Sequence, residues 1–346
     1  MSGQEPGPAD QAVTRLVDDA ERGAFVVSVG PMEIPHAVGH QGGHTGIFPP
    51  VATVQIPRDA HLYGFDLEIV DGAGRRLSNR LLHHLNVIDP GHRELFLPIS
   101  RRLLALGSET GAQVMPRLLF GLTVKAGQPL VISVMLHNPT DEHYASVELR
   151  LFLRYVPDRR PWPLFSVYPF HLDVGFPAGD KSFDLPPGES SRSYEASPAV
   201  AGRLIVVGGH LHELATSLKL EDVTVGKVIW EGQAIAGPDG TIGGVTIGRL
   251  YKRLGVKIRP DHTYRVSVSY DNPTGDTIAA GGMGVVAGVF MPAEDDDWPL
   301  ADTKDPLYEL DRQHFMREVS GTYSQLVGVK QEPAPPAKPA AHVHES

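Results

Sequence analysis

Glycine and proline interrupt this chain so often that no long regular element can run unbroken. Of 346 residues, 37 are glycine and 30 are proline, scattered rather than set at every third position. That scatter excludes a collagen triple helix, and proline's missing N–H and glycine's loose backbone disfavour long helices. Between the breaks lie short apolar runs at 51–56, 62–70, 81–88, 118–124, 130–136 and 146–155. A second set follows at 165–173, 203–212, 224–230, 246–250, 263–270 and 283–291. Turn pairs such as Asp71-Gly72, Ala126-Gly127 and Asn138-Pro139 separate the runs. This texture predicts an all-β chain of antiparallel sheet rather than βαβ units.

Hydrophobic residues make up 41% of the chain, enough for packed cores. The length exceeds what one core usually supports, so two β-sandwich domains are expected. The reading is a polar lead over 1–23 with a short helix at 10–22, then a first sandwich over 24–156. A linker follows at 157–163, where three prolines crowd together, because proline cannot donate to a ladder. The second sandwich covers 164–293. The remainder, 294–346, begins with the acidic run Glu294 to Asp297, continues with a short helix at 308–318, and ends in a disordered Pro/Ala-rich tail. No sequence repeat is visible between the two halves.

The balance of charge is acidic, −10, and the densest basic groups are pairs such as Arg101-Arg102 and Arg159-Arg160. A nucleic-acid partner is not expected, since phosphate neutralisation needs clustered Lys and Arg. Absence of cysteine removes disulfides, thiol catalysis and iron–sulfur clusters together. No run of about 18 apolar residues occurs, so no membrane insertion is expected. The N-terminus has no basic-then-apolar leader, which predicts a cytoplasmic protein, or an exported one if a leader has been removed.

Histidine is the unusual residue, with 16 copies. His83-His84 stand together in RLLHHLNVID. Adjacent residues on a regular strand face opposite ways, so this pair can serve one metal only where the strand ends, twists or bulges. His137 ends an apolar run just before Asn138-Pro139. His210-Leu211-His212 places two imidazoles on one strand face, about 6.6 Å apart along the strand. Met283 lies between Gly282 and Gly284, which are expected to leave space around its thioether. Each feature alone is a common accident, but imidazoles set at or within apolar strands are costly to bury without a partner. A thioether donor favours copper, above all Cu(I), over zinc or magnesium.

The order His-His, single His, His-x-His, Met resembles the copper type II, ascorbate-dependent monooxygenases, the family of peptidylglycine α-hydroxylating monooxygenase and dopamine β-monooxygenase. The segment YRVSVSYDNPTGDTIAAGGMG is similar to the strand–turn–strand that leads to that family's methionine. The likeness covers about 45–292. It implies two jelly-roll sandwiches in tandem and two copper ions per chain. By it, His83, His84 and His137 hold an electron-transfer copper, and His210, His212 and Met283 hold an oxygen-activating copper. The implied reaction is hydroxylation of a C–H bond of a small-molecule substrate with O2, with ascorbate or another one-electron reductant as co-substrate. The family's disulfides have no counterpart in a chain without cysteine. Where the peptide enzymes place an arginine before His-x-His and a tyrosine beyond the methionine, this chain has Gly208-Gly209 and Val285-Val286-Ala287. A peptide ending in glycine is therefore not the expected substrate.

Two other readings of the same residues stay open. One is a non-catalytic copper-binding protein on this fold; the other is a jelly-roll recognition or structural module with chance histidines. Eight other histidines read as loop, packing or surface groups: His36, His40 and His44 in a Gly/Pro-rich loop, His342 and His344 in the tail, His92 in a turn, and His143 and His171 in packing or at the surface. Glu213, beside His212, is a candidate for orienting an imidazole.

Overall fold

The computed structural model describes residues 9, 11–36, 46–108, 110–158, 163–175, 181–237, 242–294 and 298–318. The chain divides into two compact units, one of 1–170 with 289–303 and the other of 171–288 with 304–346. Within the expected linker, 159–162 lie outside the described residues, as do the expected tail beyond 318, His40, His44, His342 and His344.

The first unit begins with β1 (Val13–Asp19), β2 (Ala24–Ile34), β3 (Ala52–Gln55), β4 (Ala60–Asp71), β5 (Leu82–Arg93) and β6 (Ser100–Leu106). It continues with β7 (Gln113–Val114), β8 (Phe120–Val124), β9 (Pro129–Leu136), β10 (Tyr144–Pro157) and β11 (Phe165–Ser166). One sheet runs β1-β2-β10-β4-β8-β11, with β7 on β4; the other runs β3-β9-β5-β6. The chain passes between the sheets from β2 to β5, forms the β5-β6 hairpin within one sheet, and passes between them again from β8 to β10, so β2-β10-β4-β8 against β3-β9-β5-β6 is the strand order of a jelly roll. Strand β10 shows why the sequence chooses sheet. Val147, Leu149, Leu151, Leu153 and Tyr155 are buried at every second position, while Glu148, Arg150 and Arg154 stand between them, half-buried.

The expected helix at 10–22 is a strand. β1 pairs antiparallel with β2 from Val13↔Gly30 to Asp19↔Ala24. So short a segment is a marginal helix in water. Gly23, at φ +61°, closes the hairpin in a conformation other residues resist.

The second set of strands is β12 (Tyr168–Asp173), which crosses from the first unit into the second, then β13 (Phe183–Leu185), β14 (Gly188–Ala196), β15 (Gly202–Leu211), β16 (Ala215–Asp222) and β17 (Lys227–Ala236). Then come β18 (Ile242–Val245), β19 (Gly248–Arg249), β20 (Val256–Ile258), β21 (Tyr264–Asn272), β22 (Ile278–Gly282) and β23 (Gly284–Pro292), whose last residues return to the first unit. β12-β23-β15-β19, with β20 also on β15, faces β14-β21-β16-β17-β18, and β13 pairs with β22. The strand order is again that of a jelly roll. Strands β3, β9, β5 and β6 of the first unit correspond to β14, β21, β16 and β17 of the second.

This correspondence exposes a repeat that the sequence conceals. β9 is followed by His137-Asn138-Pro139-Thr140, and β21 ends in Asp271-Asn272, followed by Pro273-Thr274. In both corners the Asn side-chain oxygen accepts from the N–H and hydroxyl of the Thr two residues on. Its amide donates to main-chain carbonyls, Pro35 and Glu142 in one unit, Pro186 and Asp276 in the other.

The one α-helix among the described residues is α1 (Pro306–Phe315), capped by the Asp305 carboxylate, which accepts from Leu307 N–H at 2.8 Å. It starts two residues before the expected 308–318. No helix among the described residues is long and apolar enough to cross a membrane.

Candidate metal centres

The first histidine group is built by a bulge. Leu82 pairs with Leu136, yet His84 pairs with Met135, so His83 is the extra residue on β5. A bulge turns its residues off the regular alternation, and the adjacent rings, instead of facing apart, lie with centroids 4.1 Å from each other. His137 joins them from the end of β9. Its N–H donates to Leu81 O at 3.0 Å, which sets the corner against the start of β5. The His137 ring meets His83 edge to face, centroids 5.4 Å apart.

The second group forms at the equivalent corner. Asp271 N–H donates to Leu214 O at 3.0 Å, just before β16, as His137 does to Leu81 just before β5. His210 lies on β15 and His212 just beyond it, with buried Leu211 between them pointing away. Their rings stand edge to face with centroids 5.5 Å apart. Two imidazoles on one ion, with nitrogens at about 2.0–2.1 Å, hold their ring centroids roughly 4.5–5.5 Å apart at common ligand angles. The His83–His137 and His210–His212 spacings fall in that range; His83–His84 is tighter.

Met283 connects β22 to β23 and is tied to His212 through a residue the sequence reading missed. The Tyr270 hydroxyl donates to Met283 O, accepts from Met283 N–H at 2.8 Å, and also accepts from the His212 backbone N–H. Burial pushes the phenol up to about 12, against the opposing pull of those two backbone bonds. In sequence Tyr270 sits in the alternating apolar pattern of β21 and reads as core, so only its buried hydroxyl betrays another task.

The glycines beside Met283 are closely covered by other side chains. A Cβ at Gly282 would lie 2.2 Å from the Phe183 ring, and one at Gly284 would lie 2.7 Å from Val268 Cβ. Both positions are small because other side chains already occupy the space. Gly209 is constrained in the same way: a Cβ there would lie 2.1 Å from Val285 O and 2.5 Å from Leu218 Cδ2.

Asp173, at the end of β12, was also missed. It is fully buried; Oδ1 accepts from Gly175 N–H at 2.6 Å, and Oδ2 has no hydrogen-bond partner among the described residues. Burial raises its pKa, opposed by the positive field of Lys181, the Gly175 hydrogen bond, and the fields of His171 and His210. Its sequence signal was a carboxylate closing an apolar run. Glu213 does not orient His212: its carboxylate accepts from Ile242 N–H at 3.0 Å. His92 binds buried Asp89 at 2.8 Å, and His143 binds Glu33 at 2.7 Å. His36 is exposed.

Among the described residues, no group of three or more His, Asp or Glu side chains stands in an arrangement ready to hold a metal. His83 and His84, with centroids 4.1 Å apart, stand closer than two rings on one ion, so one ring must rotate for both to share it. A His-His-Met set has only two members of those residue types.

No family model matches the chain, and no curated protein matches it. Among solved structures, PNGF-II is 11% identical with a TM-score of 0.35 over 78% of this chain, which spans 66% of that chain's length. PNGase F, a glycosylasparaginase from Flavobacterium meningosepticum, is 12% identical with a TM-score of 0.35, covering 82% of this chain and 97% of that one. The Sulfolobus Turreted Icosahedral Virus structure is 8% identical with a TM-score of 0.18, covering 71% and 59%. At such scores these likenesses assign neither family nor function.

Proposed function

We propose that the chain is a copper-dependent monooxygenase that hydroxylates a C–H bond of a small substrate with O2 and an external reductant such as ascorbate. The observation that carries this reading is the pair of donor groups at equivalent corners of two jelly rolls, three imidazoles in one, two imidazoles and a tethered methionine in the other. Donor chemistry divides the roles. His83, His84 and His137 form an all-nitrogen set suited to holding an electron, while His210, His212 and Met283 add a soft sulfur and leave a position open.

Copper held by these residues would supply one-electron storage and dioxygen reduction, with one oxygen atom entering the substrate and the other leaving as water at the expense of two electrons and two protons. The chain's own contribution is to orient the imidazoles and to keep donors half-buried in apolar surroundings. With glycine at 208 and 209, that stretch of β15 offers no charged side chain to a substrate, which favours substrates without a carboxylate anchor.

Anaerobic titration with copper(I) tests the reading. Two ions per chain are expected, and Met283→Ala should abolish ascorbate-driven, substrate-dependent O2 uptake while keeping the copper of His83, His84 and His137. Binding of no copper would leave only a jelly-roll module, and a Met283→Ala variant equal to wild type would remove the oxygen site.

A further inference from the structure

We infer that Tyr270 is the positioning residue of the second centre, holding Met283 and His212 in fixed relation through one hydroxyl. The inference rests on the reading of His210, His212 and Met283 as copper donors. A phenol oxygen has one proton to give and two lone pairs to fill. Here the proton goes to Met283 O, and the lone pairs take Met283 N–H and the His212 backbone N–H. Every valence is used, and the residue is 2% exposed, so water cannot substitute readily.

The need for such a clamp follows from the donor. A methionine side chain has three rotatable bonds and adapts to almost any gap, so its sulfur is placed only as well as its backbone is. Met283 sits in a junction between two short strands, flanked by glycines, with Ala280 in a left-handed conformation nearby. His212 also stands outside regular strand, next to a turn in which Leu214 has φ +68°. Two irregular segments distant in sequence thus meet at a group anchored on the regular strand β21.

The equivalent corner of the first unit argues the same way. There Leu136 occupies the place of Tyr270, and the next residue, His137, points a donor directly at the site. In the second unit the next residue is Asp271, which is exposed. Where the corner itself provides a ligand it carries a leucine; where the ligands come from neighbouring segments it carries a hydroxyl that fastens them.

The test compares Tyr270→Phe with Tyr264→Phe in the full chain loaded anaerobically with copper(I). Tyr264 lies on the same face of β21, equally buried, and its hydroxyl accepts from Arg259 N–H at 3.0 Å, so its loss controls for removing a buried phenolic hydrogen bond. X-ray absorption should detect a copper–sulfur contribution in wild type and Tyr264→Phe, and lose it in Tyr270→Phe with the imidazole contribution kept. Sulfur retained in Tyr270→Phe, or lost equally in both variants, overturns the inference while leaving the copper reading intact. No sulfur in wild type overturns the copper reading itself. Should Tyr270→Phe fail to fold, hydrogen exchange in the metal-free wild type decides: the Met283 and His212 amides should be protected and exchange together, and free exchange of either overturns the clamp.

Discussion

His83 and His137 meet edge to face, ring centroids 5.4 Å apart, although one is the extra residue of a bulge and the other the first residue past a different strand. Their meeting depends on the His137 N–H bond to Leu81 O, the main-chain link that also recurs between Asp271 and Leu214. The donors are therefore set by backbone corners, and side-chain deletion should remove metal without removing fold.

His83→Ala should lower copper(I) stoichiometry from two ions to one, and the remaining ion should keep its sulfur neighbour. Metal analysis after gel filtration, with absorption spectroscopy on the same sample, reads both quantities. Thermal unfolding of the metal-free variant should match wild type, because the ring is only half-buried.

Gly209→Ala should destabilise the second unit by about 1–3 kcal/mol or more, the range for overpacking a filled site. Its Cβ would press on Val285 O, a backbone atom that cannot swing aside. Urea unfolding would measure the change, and a variant as stable as wild type would refute the close approach of these strands.

Acid should weaken the first unit through Asp89. Burial drives this carboxyl up, but the His92 hydrogen bond and the Arg101 charge outweigh it and hold the pKa below the ordinary value. A group lowered in the folded state stabilises above its unfolded pKa of about 3.9, and that contribution disappears as pH falls through the folded value. Urea midpoints measured downward from pH 6 should therefore fall below about pH 4 more steeply in wild type than in Asp89→Asn. Asp89→Ala should be costlier at neutral pH, about 3–5 kcal/mol, because it leaves Arg101, 2% exposed, without its carboxylate.

The two Asn-Pro-Thr corners should respond alike. Asn272→Ala and Asn138→Ala each leave main-chain groups unsatisfied and should cost about 1–3 kcal/mol. Asp at either position should fail to rescue, since a carboxylate cannot donate to Pro186 and Asp276 O, or to Pro35 and Glu142 O. Equal stability of the Asp variants would mean that the amide donors are dispensable.

Much of the sheet was legible because burial on one face writes a period of two, as along β10 and β21. β14 was not, because its GESSRSYEA side chains include no buried one, and an edge strand needs no apolar alternation. The region of β1 looked helical because Asp, Glu, Arg and Ala surround it, and its pairing with β2 is a contact that local propensity does not encode. The six donor candidates were visible by residue type and order. The bulge that turns His83 and His84 together was foreseen only as a condition. Tyr270 and Asp173 stayed hidden, since a tyrosine or aspartate in an apolar strand reads as packing until its buried polar atom is located.

By itself the sequence determined an all-β chain in two halves, a lack of thiol chemistry and a set of imidazoles beside apolar strands, because composition and alternation are local properties of the chain. Tertiary structure alone decided that both halves share one strand order, that His137 closes on His83, and that one phenol joins Met283 to His212. Those facts depend on register and on main-chain hydrogen bonds between distant segments, which no local pattern records.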